Sequence, residues 1–131
     1  MEIKKDFIDW NEFEFIIQIL ANKIIKSGLE FDSVYGLPRG GLIPAVILSH
    51  KLGIPYDNFG EVLVVDDICD SGETLRPFTD PYIKSTTAVL HYKPHTSTIK
   101  PDFYAVESIS DEWIVYPWEE KDSKAIQDYK V

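Results

Sequence analysis

Residues 62–75 read VLVVDDICDSGETL, and few folds accommodate such a run. Four apolar residues without alternation have the length of a strand covered on both faces. They lead directly into Asp66 and Asp67, with Asp70 three positions on and Ser71-Gly72-Glu73-Thr74 behind it. Adjacent carboxylates repel each other and are costly to take out of water. A cation or a set of ligand hydroxyls is the usual partner that offsets such a pair.

Strands buried on both faces belong to parallel sheets, and the rest of the chain fits that class. Phe13, Ile16, Ile17, Leu20 and Ile24 recur at helical spacing within residues 10–27, with Asp9 able to cap the start and Gly28 the end. A short strand over 31–35 ends at Gly36. Helical spacing resumes over 42–52 and stops at Gly53, and 54–56 reads as a stub of edge strand. A helix beginning near residue 72 is kept short or broken by Pro77 and Pro81. Residues 86–91 and 103–106 supply two further strands. The expectation is an α/β fold: a parallel sheet of about four to five strands with helices on both faces.

The 131 residues suit one domain, 1–131, in which 119–131 reads as a polar surface tail. The balance of 44% hydrophobic and 27% charged residues is that of a soluble globule. A net charge of -9 argues against a nucleic-acid surface, which needs a basic stripe. One cysteine excludes an internal disulfide and a multi-cysteine zinc site. No signal peptide is read at the start and no apolar run approaches membrane-spanning length, so the expected setting is cytoplasmic, without a membrane partner.

In parallel sheets ligands bind at the carboxyl ends of the strands. Asp66 and Asp67 stand at such an end. Gly72 lets the backbone approach a ligand, Ser71 and Thr74 offer hydroxyls, and the amides of an incoming helix would face an anion. One turn thus combines carboxylates for sugar hydroxyls or magnesium with a cradle for a phosphate. A sugar phosphate satisfies both.

Two further stretches are distinctive: YGLPRGGLIPAVILSHKLGIP at 35–55, and HYKP at 91–94 followed by ESISDEWIVYPWE at 107–119. Together with VLVVDDICDSGETL, in that order, they resemble the type I phosphoribosyltransferases. The branch they are most similar to is the bacterial xanthine-guanine, or 6-oxopurine, enzymes. The resemblance implies a purine phosphoribosyltransferase of purine salvage. Such an enzyme transfers the 5-phosphoribosyl group from phosphoribosyl diphosphate to a 6-oxopurine base, with Mg2+ as cofactor, as a homo-oligomer (dimer or tetramer).

Roles follow by the same resemblance. Arg39 and the Gly40 amide would hold the diphosphate, in a loop that often carries an unusual peptide bond. Asp66 and Asp67 would hold the ribose hydroxyls, with Asp67 helping to place magnesium. Residues Asp70, Ser71, Gly72, Glu73 and Thr74 would bind the 5-phosphate. Asp70 would also be the catalytic acid-base group near purine N7, ordinary general-base work. Lys93 would reach the purine 6-oxo group, Trp113 would stack on the base, and Ile114 would offer a backbone carbonyl. Cys69 reads as a small, partly buried filler, Trp118 as a core or interface aromatic, and His50, His91 and His95 are assigned no role.

One departure stands out. Relatives carry a long hairpin between the second helix and the signature strand, whose mobile flap covers the reacting sugar; here only residues 55–61 occupy that interval. Another segment would have to cover the sugar, and the polar loop 94–100 or a neighbouring subunit is the candidate. The alternative is a non-catalytic sensor or regulator that binds phosphoribosyl diphosphate or a purine nucleotide.

Overall fold

The computed structural model describes residues 4–120; the end of the expected surface tail, 121–131, lies outside them. Four parallel strands form the main sheet in the order β2 (Ser33–Gly36), β3 (Val62–Cys69), β4 (Ser85–Tyr92) and β5 (Phe103–Glu107). Helix α1 (Trp10–Ser27) precedes β2, and α2 (Leu42–Leu52) joins β2 to β3. A separate parallel pair, β1 (Lys5–Phe7) and β6 (Trp113–Val115), stands beside this sheet.

The helices form where their apolar spacing places them. Asp9 caps α1 by accepting from the Glu12 amide at 2.7 Å, and Gly28 ends it with φ 75. Phe13, Ile17, Leu20 and Ile24 of α1 pack with Ala45 and Leu48 of α2 on Val34, Leu63, Val65, Ala88 and Leu90 of the sheet. Both α-helices therefore cover the same face.

The opposite face carries no α-helix among the described residues. Val62, Val64, Val89 and Tyr92 are covered there by Leu75, Phe78 and Ile99, which come from turns and loops. Between β3 and β4 the only helical piece is a single 3-10 turn, Arg76–Thr79, with Pro77 inside it. Proline fixes its own backbone and removes a donor, so no α-helix propagates from the turn after β3.

Three other elements depart from the sequence reading. The strand stub at 54–56 is reduced to an isolated bridge between Val34 and Tyr56. β3 continues through Asp66 and Asp67 to Cys69, so the acidic pair lies in the strand rather than beyond it. β1 and β6 were not expected as strands; three residues each are too short to show a period, and they form by pairing with each other.

Candidate active site

The carboxyl ends of the parallel strands open into one cleft. Its walls come from segments far apart in sequence. β3 and its following turn supply Asp66, Asp67, Asp70, Ser71, Gly72 and Thr74. Lys93 comes from the end of β4, and Trp113 and Ile114 come from β6. Nine of the residues that the sequence singles out thus line a common space. Arg39, Gly40 and Glu73 stand outside the wall, each for its own reason.

The loop after β2 runs close behind the acids. Leu37 N donates to Val65 O at 2.9 Å and Gly41 N to Leu37 O at 2.8 Å, which folds the loop back onto β3. The Pro38–Arg39 peptide is cis. Pro38 reaches the cleft wall while the Arg39 side chain is exposed. A Cβ at Gly40 would overlap the Asp67 carboxylate, so only glycine brings the loop backbone this close to the acid.

The acidic pair is braced by its neighbours. Asp66 is 8% exposed; its Oδ1 accepts from Asp67 N at 2.9 Å and its Oδ2 from the Thr74 hydroxyl at 3.1 Å. Asp67 Oδ1 accepts from Ile68 N at 2.8 Å. Burial foremost, then the charge of Asp66, push the Asp67 carboxyl well above the ordinary carboxylate range, and Glu119 adds to the effect. A carboxyl held up in this way gains most from a cation, which would favour its charged form.

The turn after β3 is held open by the loop 94–100. The Thr96 hydroxyl donates to Asp70 Oδ1 at 2.6 Å, and Thr98 N donates to Ser71 O at 3.1 Å. Gly72 has φ 89, a conformation that suits glycine, and a Cβ there would press on Ile99 and Ser97. Cys69 is buried against Ser97, its Sγ 3.3 Å from the hydroxyl, and burial pushes its thiol up. Glu73 turns outward and pairs with Arg76 at 3.4 Å. A turn, not an α-helix end, therefore forms this part of the cleft wall.

At the other wall, Lys93 is 4% exposed and donates from Nζ to Glu112 O at 2.7 Å. Trp113 is carried on β6, which β1 holds in place: Trp113 N donates to Lys4 O at 2.7 Å, and Ile8 N to Val115 O at 2.9 Å. Pro38, Ile68, Tyr116 and Glu119 also line the cleft. Sequence reasoning missed Tyr116 and Glu119, although both fall within six residues of Trp113, in the same quoted stretch. His91 lies 2.8 Å from the Tyr116 hydroxyl through Nδ1, and Trp118 stacks on Tyr116 at 5.1 Å.

No family model matches the chain. It is 29% identical to the xanthine-guanine phosphoribosyltransferase of Vibrio parahaemolyticus over 140 residues, covering 88% of this chain and 90% of that relative. Among solved structures, the purine phosphoribosyltransferase of Pyrococcus horikoshii matches with a TM-score of 0.77 and 30% identity, over 95% of this chain and all of that one. A hypothetical protein from Neisseria gonorrhoeae with bound ppGpp matches with a TM-score of 0.76 and 26% identity, over 93% of each chain. The fold is that of a phosphoribosyltransferase. The chain belongs to the purine phosphoribosyltransferase family.

Burial, with Lys93 adding to it, lowers the His91 pKa from 6.5 to about 4, partly opposed by Asp6. The unfolded chain then binds a proton on this ring before the folded one does. Stability from neutral His91 is full above about pH 6.5 and is lost as the pH falls toward 4, by about 3 kcal/mol. Denaturant titrations should show the native protein losing about that much more than His91→Asn between pH 7 and pH 4. Equal losses would contradict the burial argument.

Proposed function

We propose that the cleft transfers the phosphoribosyl group of phosphoribosyl diphosphate to a 6-oxopurine base, releasing diphosphate and a nucleotide. One observation carries this reading. Acids, a glycine-hydroxyl turn and a lysine-tryptophan pair, contributed by three separate stretches of sequence, line the same cleft. A sugar, a phosphate and a flat polar base need those three chemistries together.

Asp66 and Asp67 would accept hydrogen bonds from the ribose hydroxyls. Ser71 and Gly72 would hold the 5-phosphate by hydroxyl and turn amide, and Thr74, whose hydroxyl donates to Asp66, by its amide. Glu73 would contribute its amide only, since its side chain faces Arg76. Arg39 and the Gly40 amide, just behind Asp67, would take the diphosphate. Lys93 would donate to the purine 6-oxo group, Trp113 would stack on the ring, and the Ile114 backbone would read its edge. Asp70, fixed by Thr96, would take the proton from purine N7 as the new bond to the sugar forms.

Magnesium suits the donor set. The Asp67 oxygens are hard ligands held in a site that disfavours their charge, and Mg2+ commonly takes one or two carboxylates plus substrate oxygens. Among the described residues no group of three or more His, Cys, Asp or Glu could hold a metal ion, so substrate oxygens would complete the shell. When bound, the ion supplies charge neutralisation for the leaving diphosphate. Asp67 would hold it and Asp66 would brace Asp67.

Residues 53–61 form no hairpin; α2 passes to β3 through a loop. The loop 94–100, already packed on Asp70 and Ser71, is the segment we assign to covering the sugar. No described helix is long and apolar enough to cross a membrane, and we place the reaction in the cytoplasm, on a homo-oligomer. A second reading, a non-catalytic sensor of a purine nucleotide, draws support from the Neisseria relative, whose structure holds ppGpp.

Release of diphosphate from phosphoribosyl diphosphate, with magnesium and guanine, xanthine or hypoxanthine in turn, separates the two. Turnover with at least one base is expected, and Asp70→Asn should lower it by about two to four powers of ten, the usual worth of general acid-base catalysis. Nucleotide affinity should change far less. Binding without release for every base would select the sensor.

Stacking on an aromatic face is worth about 1–3 kcal/mol. Trp113→Ala should therefore weaken purine binding by about tenfold or more in fluorescence or calorimetric titrations, with phosphoribosyl diphosphate binding unaltered. Equal weakening of both ligands would make Trp113 a packing residue.

A further inference from the structure

Asp67 occupies an awkward place in the sheet. β2 ends at Gly36, opposite Val65. The register between β3 and β4 passes from Asp66–Val89 to Ile68–His91 and skips Asp67. Side chains join the hydrogen bonding of its peptide, since a buried peptide group left unpaired forfeits about a full hydrogen bond. The N–H donates to Asp66 Oδ1 at 2.9 Å, and the C=O accepts from the Tyr116 hydroxyl at 3.1 Å.

The Tyr116 oxygen also lies 2.8 Å from His91 Nδ1. A phenol has one proton to donate. With that proton committed to Asp67 O, the contact with His91 exists only if Nδ1 carries hydrogen and donates to the phenolic oxygen. The imidazole is 4% exposed and its pKa, lowered by burial to about 4, keeps it neutral at pH 7, so Nε2 is bare. The Tyr116 ring is fixed as well. It stacks on Trp118 with an interplanar angle of 4°, and its backbone N donates to Glu119 Oε1 at 2.9 Å.

We propose that His91 and Tyr116 are positioning residues, forming a buried relay, Nδ1–H to phenol to Asp67 carbonyl, that holds the Asp67 peptide and so aims its carboxylate into the cleft. The relay links β4, the segment after β6, and β3, and it acts on sugar and cation only through Asp67. It rests on the reading of Asp67 given above. The partners that orient a metal ligand are commonly worth about 10–100-fold in affinity or activity.

Two measurements test it. In long-range 15N–1H spectra of the labelled protein, His91 should show a protonated, pyrrole-like Nδ1 and a bare, pyridine-like Nε2. The reverse tautomer overturns the relay whatever the protein's activity. In calorimetry, Tyr116→Phe and His91→Leu should each weaken magnesium-dependent binding of phosphoribosyl diphosphate by about tenfold or more. The double variant should be no worse than the weaker-binding single variant, because the two residues act as one unit. His91→Asn, which keeps a donor in the place of Nδ1, should recover most of the loss. Unchanged binding in a folded Tyr116→Phe protein, or equal losses in His91→Leu and His91→Asn, would overturn the proposal. Should Tyr116→Phe fail to fold, the two His91 variants decide alone. If the native protein binds no phosphoribosyl diphosphate, the reading of the cleft fails, while the tautomer still decides the relay.

Discussion

Asp66 and Asp67 stand side by side where β3 outruns β2, and burial together with their mutual repulsion drives the Asp67 carboxyl well above its ordinary range. Much of the surrounding architecture serves to hold that unfavourable pair. Thr74 and the Asp67 amide satisfy Asp66, and Tyr116 satisfies the Asp67 carbonyl. Gly40 leaves just enough space for the carboxylate. None of these contacts supplies a positive charge to Asp67; they orient the acids and leave the charge to be met by a ligand.

The sign of the linkage makes the same point. A carboxyl whose pKa is raised on folding stabilises the native state below its unfolded pKa and loses that contribution as the pH rises through the folded value. At neutral pH the ligand-free domain is thus less stable for having Asp67 in this place. A bound cation and sugar would reverse this, which couples ligand binding to the stability of the strand end. The net charge of -9 poses no obstacle to the proposed ligand, whose phosphate would be met locally by turn amides and a bound cation and whose base would be met by Lys93.

Much of this was legible in the sequence because it is local. Helix α1 shows its period and its caps, α2 ends where Gly53 stops it, and the apolar run before Asp66 has the pattern of a buried parallel strand. The motif register brought Lys93, Trp113 and Ile114 to the same cleft as the acids. What escaped is non-local. β1 and β6 exist only through each other, so neither three-residue piece carries a pattern. His91 looked isolated because its partner Tyr116 lies 25 positions away in sequence. The second face of the sheet is covered by turns because Pro77 prevents an α-helix, an effect visible in the sequence, whereas the packing of Ile99 against Gly72 was not.

The most direct test is calorimetric titration of phosphoribosyl diphosphate into the native protein and into the Asp66→Asn/Asp67→Asn double variant, each with and without magnesium. Asparagine keeps nearly the shape of the acid and removes its charge. Magnesium should strengthen binding to the native protein and have no effect on the double variant, which should remain folded. Equal magnesium-dependent binding by both proteins would contradict the account, since the acids would then be structural and the cation held elsewhere.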